Sequence, residues 1–214
     1  MKNKLLNKSK FLLEATLRSY SQIFFTENKI LASILIVVSF IEWWTGLSGL
    51  IAVLTAIALA QLFDYSEITT EKGLYRYTAL LVGLGIGTYF APGLEVLLLI
   101  VAGAAIAFFS TVFFMGIFAK YGIPFLSIPF LVGMWLLLLA FPSFTNVALN
   151  METLYPSNMY FKMGGDVLVS VMEGLSSFFE DTGFDTYFLS LGAIFFQFNI
   201  LSGVLISLGL LIHS

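Results

Sequence analysis

The sequence offers little for acid–base or ligand chemistry to use. It has no cysteine and one histidine, His213. That removes thiolate nucleophiles, Cys-based metal sites, iron–sulfur clusters and paired-His ligand sets. Only carboxylates and hydroxyls could carry a reaction. Glu180-Asp181-Asp185 has the charge of a calcium loop and Gly183 fits one, but the spacing matches no standard loop. Asp166 and Glu173 stand seven apart, as on a solvated helix face. Glu95 follows Pro92-Gly93 and is placed to start a helix, where a carboxylate is favoured. An enzyme remains possible only through those carboxylates or hydroxyls in the membrane. What recurs instead is aromatic: Ile23-Phe24-Phe25 and Ile194-Phe195-Phe196. Standing alone, such pairs read as lipid-facing or core aromatics.

The elements that must position these rings are apolar helices. Hydrophobic residues make up 59% of the 214 residues and charged residues 11%, against about 25% charged in a soluble chain. Mean hydropathy is +0.96. The expected fold class is an all-α membrane protein. A secreted disulfide domain and a disordered tail are excluded. So is a nucleic-acid binder, because net charge is −3 and no basic stripe exists. Six of the ten basic residues fall within the first 29: Lys2, Lys4, Lys8, Lys10, Arg18 and Lys29. The positive-inside rule places this end in the cytoplasm. A cleaved signal peptide is the alternative, but Glu14 and Arg18 interrupt its apolar stretch.

Apolar runs follow at Ile30–Ile41, Leu47–Phe63, Tyr77–Tyr89, Glu95–Ala119, Leu126–Phe141, Val167–Phe179, Tyr187–Phe198 and Leu201–Ile212. Gly46 and Gly49 permit close helix contact. Asp64–Arg76 reads as a polar loop, and Ser143–Met163 as an exposed linker. Ile30–Ile41 and Tyr187–Phe198 are too short to cross a bilayer, which needs about 20 residues. Short segments of this kind suggest re-entrant elements around a transporter's central site.

The two aromatic strings belong to a longer repeat. Leu17–Asn28 resembles Phe188–Asn199 at an offset of 171, with identities at Ser19/Ser190, Ile23/Ile194, Phe24/Phe195, Phe25/Phe196 and Asn28/Asn199. Chance similarity between Phe-rich helices is the plain alternative. About five membrane segments separate the copies, and an odd number of crossings inverts the second copy.

At these residues the chain resembles the urea transporter family. The family's repeat opens on a tilted pore helix with a Gln-Val-Phe-Phe-Gln-x-Asn-type segment, which Gln22-Ile23-Phe24-Phe25-Thr26-Glu27-Asn28 resembles. Gly73–Gly83 approaches a second family segment. Pro124-Phe125-Leu126-Ser127-Ile128-Pro129-Phe130, with Trp135 after it, is similar to a third. Ile194–Gly203 matches the pore-helix opening again. The resemblance runs from about Leu12 to the end. It implies channel-like passage of urea or a related small neutral amide through a Phe-walled slot, in a homotrimer with one pore per subunit in the cell membrane. Urea is flat, neutral and rich in N–H donors, so ring faces can sandwich it while oxygens at the slot edge accept. A slot without charge gives a hydrated ion no substitute for its water.

By position, the resemblance makes Gln22 the polar group at a slot mouth and Phe25 a slot ring. Tyr77 and Leu81 fall on slot-wall positions, Ser127 on a central hydroxyl, and Phe196 on the second ring. Ala193 stands where the second mouth should carry an acceptor. Arg76 replaces a small residue and Thr78 an Asn. A guanidinium beside the pore would bias it toward anionic solutes; the competing reading is that Arg76 snorkels at the membrane interface. Ser127 could equally bond a carbonyl one turn back.

The expected organisation is a basic cytoplasmic N-terminus (1–11), a first repeat (12–142), a polar linker (143–166) and the opening of a second repeat (167–214). At the same offset, counterparts of Tyr77, Leu81 and Ser127 would fall at 248, 252 and 298. On this reading the second repeat is incomplete. That leaves a truncated non-transporting remnant, or half of a split transporter, as an alternative. A membrane subunit of a redox-driven ion pump of related fold is another; its Ser/Thr-Gly-Ala-Thr-type flavin attachment stretch is not found in the sequence.

Overall fold

Helices form along the apolar runs, and their ends follow the turn chemistry rather than the hydropathy. The computed structural model describes residues 2–65, 74–144, 147–150, 184–197 and 199–213, with isolated positions between 170 and 178. Among them the regular elements are helical: α1 (Lys2–Ser21), α2 (Lys29–Ser39), α3 (Trp43–Leu62), α4 (Leu74–Tyr89), α5 (Leu94–Phe118), α6 (Ile128–Ala140), α7 (Phe184–Ala193) and α8 (Ile200–His213). Short 3₁₀ turns occupy Gln22–Phe24, Ala119–Tyr121 and Phe141–Ser143. Glu95 lies in the first turn of α5. Trp43–Leu62 and Leu94–Tyr121 are long and apolar enough to cross a membrane, and the α1–α2 pair joins them if its 89° bend counts as one span.

α4 is the centre. From Tyr75 to Thr88 every residue is buried, as expected of a helix surrounded by others. It packs against α3, α5, α6 and α1. Small residues set the α3–α4 distance. Ala52, Ala56 and Ala60 share one face of α3 with Ser48 and Gly49, all buried. Gly83 and Gly87 of α4 approach them so closely that a Cβ on Gly83 would lie 2.5 Å from Ala52 Cβ. Polar side chains then bridge the helices. Trp44 Nε1 donates to the Phe90 carbonyl at 3.0 Å, Thr45 and Thr88 meet at 3.3 Å, and Thr78 and Thr111 at 2.9 Å.

Two expectations change. The stretch after Ser143 is not wholly exposed: Val147 is buried, and Leu149 forms an isolated antiparallel bridge with Phe90. Ala91 N–H donates to the Ala148 carbonyl, and Asn150 N–H to the Tyr89 carbonyl at 2.8 Å. The end of α4 leaves carbonyls that need donors, and this segment supplies one. Residues 151–166 lie outside the described residues, as do Glu173, Glu180, Asp181 and Gly183. Second, α7 stops at Ala193 instead of running to Phe198, because the chain turns sharply at Ile194–Phe196.

The repeat offset reappears in the hydrogen bonds. Leu31 N–H donates to Asn28 Oδ1 at 3.2 Å; Ser202 N–H, 171 residues on, donates to Asn199 Oδ1 at 2.8 Å. Phe24 and its counterpart Phe195 stack on each other, centroids 6.0 Å apart. α2 packs against α8, its own counterpart.

Candidate functional site

Three chain turns converge on one cavity of about 320 Å³. The first ends α1. Phe25 N–H bonds the Gln22 carbonyl at 3.0 Å, and Thr26 N–H the Ser21 carbonyl at 3.3 Å. This pair of bonds is a Schellman motif, whose C′ residue must be left-handed; Phe25 has φ of 54°. The second turn ends α7 in the same way. Phe196 N–H bonds the Ala193 carbonyl at 2.9 Å, Gln197 N–H the Gly192 carbonyl at 3.0 Å, and Phe196 has φ of 57°.

Elsewhere the same motif takes residues that suit it. Gly122 closes the helix before it with φ of 64°, and Asp64 closes α3 with φ of 50°. Glycine adopts this conformation freely, whereas an L-residue with a bulky side chain gives up roughly 1–2 kcal/mol. Two phenylalanines at the two cavity turns therefore hold their rings in place against a backbone cost. Phe196→Gly is expected to keep the thermal stability within about 1 kcal/mol of the parent, because relieved strain offsets the lost ring contacts. The same variant widens the cavity at that turn. A large drop in melting temperature would show that the ring serves packing alone.

The third turn precedes α6. Leu126 has φ of 46°, and its carbonyl accepts the Tyr77 hydroxyl. That bond ties α4 to the turn and uses the Tyr77 proton, so the phenol does not stand free on the wall. Ser127 follows at the N-cap of α6, where its side chain makes no capping bond. Tyr77 and Leu81 are one turn apart on α4 and so share a face. Phe25 meets Tyr77 edge-on at 6.5 Å between centroids. Phe196 meets Phe130 at 6.1 Å and Tyr89 at 6.2 Å.

Six of the seven residues expected at a slot line this cavity: Phe25, Tyr77, Leu81, Ser127, Ala193 and Phe196. Gln22 does not. It opens the 3₁₀ turn, and its backbone carbonyl accepts from Phe25 N–H. The Ala193 carbonyl does the same for Phe196. Ile23, Ile194, Phe130 and Leu131 complete the wall. The signal for Phe130 was its spacing of three from Ser127, one helical turn. Among the described residues no charged side chain lines the cavity. Arg76 is only 1% exposed and lies elsewhere. Its neighbours across the space beside it are Phe11, Glu14, Ala15 and Arg18 of α1.

A comparison with protein families matches residues 13–214 to the family described as "UT: Urea transporter". No curated protein matches the chain. The matched stretch holds the long apolar helices and every residue of the cavity wall. The chain is a membrane protein, a transporter rather than an enzyme, and it belongs to the urea transporter family.

Proposed function

We propose that urea, or a related small neutral amide, passes down its gradient through the cavity between Phe25, Tyr77, Leu81, Ser127, Phe130 and Phe196. The observation that carries this reading is the pair of phenylalanines held in left-handed turns at offset 171 on a wall without charge. Ring faces sandwich a planar solute, and the Ser127 hydroxyl accepts its N–H groups. An ion finds no ligand there to replace its hydration. On this reading the α1 and α7 turns are the pore-helix ends of two inverted repeats. Their relation is supported by the recurring Asn28 and Asn199 caps and by the Phe24–Phe195 stack. The same reading includes a homotrimer in the cell membrane, an N-terminus in the cytoplasm, and a chain divided at 1–11, 12–142, 143–166 and 167–214.

The test is stopped-flow light scattering on proteoliposomes given an inward urea gradient. Urea flux is expected to exceed that of protein-free vesicles at least tenfold, with no sodium or chloride current. Flux equal to that of protein-free vesicles would overturn the proposal.

A further inference from the structure

Arg76 has no part in the cavity above. It sits in the first turn of α4, 1% exposed. Its Nε and Nη2 have no hydrogen-bond partner among the described residues. A guanidinium stays charged inside a protein, and an uncompensated interior charge is strongly unfavourable. Against it lies a second cavity, of about 60 Å³. Phe11, Glu14, Ala15 and Arg18 form its α1 wall, and Arg76 its α4 wall. Those four α1 positions fall on one helix face. Among the described residues Glu14 is the one carboxylate on the wall, and its Oε1 is engaged by Lys29 Nζ at 3.2 Å. Arg18 and Arg76 thus bring two guanidinium groups to the same space.

We propose that this cavity is an anion site that takes one phosphate group, either free phosphate or the headgroup phosphate of an anionic lipid. Guanidinium forks match phosphate oxygens in paired hydrogen bonds. The space is roughly twice the volume water takes in the liquid, enough for one small oxyanion. The half-exposed Phe11 ring at the rim offers apolar surface to an acyl chain. Lys2, Lys4, Lys8 and Lys10 precede the site on the same helix, in the pattern that draws a segment to anionic lipid. A bound phosphate bridges Arg18 to Arg76. It thus fastens α1, which ends at Phe25, to α4, which carries Tyr77.

The experiment uses the full chain, purified in detergent and stripped of lipid. Sodium phosphate is titrated against sodium chloride at constant ionic strength while thermal unfolding is recorded. In parallel, the protein is melted in nanodiscs of phosphatidylglycerol or phosphatidylcholine. We expect a saturable rise in melting temperature of about 4 °C. A rise with phosphate supports a free-phosphate site, and one confined to phosphatidylglycerol supports a lipid site. Arg18→Gln and Arg76→Gln should each remove the rise. Arg76→Lys keeps the charge, loses the fork and should fold, with the midpoint moved about tenfold; it serves if Arg76→Gln does not fold. No rise under either condition, or an undiminished rise in Arg18→Gln and Arg76→Lys, would overturn the proposal. The readout is independent of urea flux, so it stands or falls apart from the permeation reading.

Discussion

Ser127→Trp is expected to reduce urea flux in proteoliposomes to the level of protein-free vesicles. Ser127 lines the cavity from the N-cap of α6 but contributes no capping bond. Its replacement thus removes no hydrogen bond that holds the helix. An indole from that position enters a space of about 320 Å³ whose other walls are already rings: Phe25, Tyr77, Phe130 and Phe196. Aromatic rings pack well edge to face, so the added side chain has neighbours to stabilise it in the blocked position. Thermal stability should stay within about 1 kcal/mol of the parent. Ser127→Ala separates the plug from the chemistry. It leaves the space open and removes the hydroxyl acceptor, so flux should fall about tenfold and not vanish. Wild-type flux through the Trp variant would place the solute path elsewhere.

The wall was legible in sequence to the extent that a repeat could mark it. Phe25 and Phe196 were paired by the 171 offset, whereas Tyr77 and Leu81 came only from the resemblance to the urea transporter family. The left-handed turns were not legible, because no glycine marks them. A sequence reader expects Gly at a Schellman C′ position, as at Gly122, and finds Phe. That is also why α7 was read as running to Phe198. Gln22 lies outside the cavity lining, and the turn uses its backbone carbonyl, which residue type does not reveal. Arg76 was read from its place in the family segment, which cannot reveal that an α1 face of Phe11, Glu14, Ala15 and Arg18 stands against it. Val147 shows the converse. A polar neighbourhood hid one apolar residue, and the need to satisfy the end of α4 drew that segment inward.

Gly83→Leu is expected to cost roughly 3–5 kcal/mol, enough to prevent recovery of a monodisperse protein. An added Cβ would stand 2.5 Å from Ala52 Cβ, 2.6 Å from the Ser48 carbonyl oxygen and 3.0 Å from Gly49 Cα. Two of these neighbours are backbone, so no rotamer change relieves the overlap. The helices must separate, and with them go the contacts that small residues on both sides make possible. The damage is not local. α4 is buried throughout and carries Tyr77 and Leu81 into the cavity, so displacing it moves the wall as well. Any fraction that does fold should therefore show lost flux beyond its lost yield. Gly116→Leu is the matched control. It lies in α5, where an added Cβ meets nothing within 4 Å. There the same substitution should be neutral or stabilising by up to about 1 kcal/mol, since only helix propensity changes. Size-exclusion profiles and melting curves of the two variants, side by side, test whether the α3–α4 contact governs the fold. Equal behaviour of the two would show that it does not.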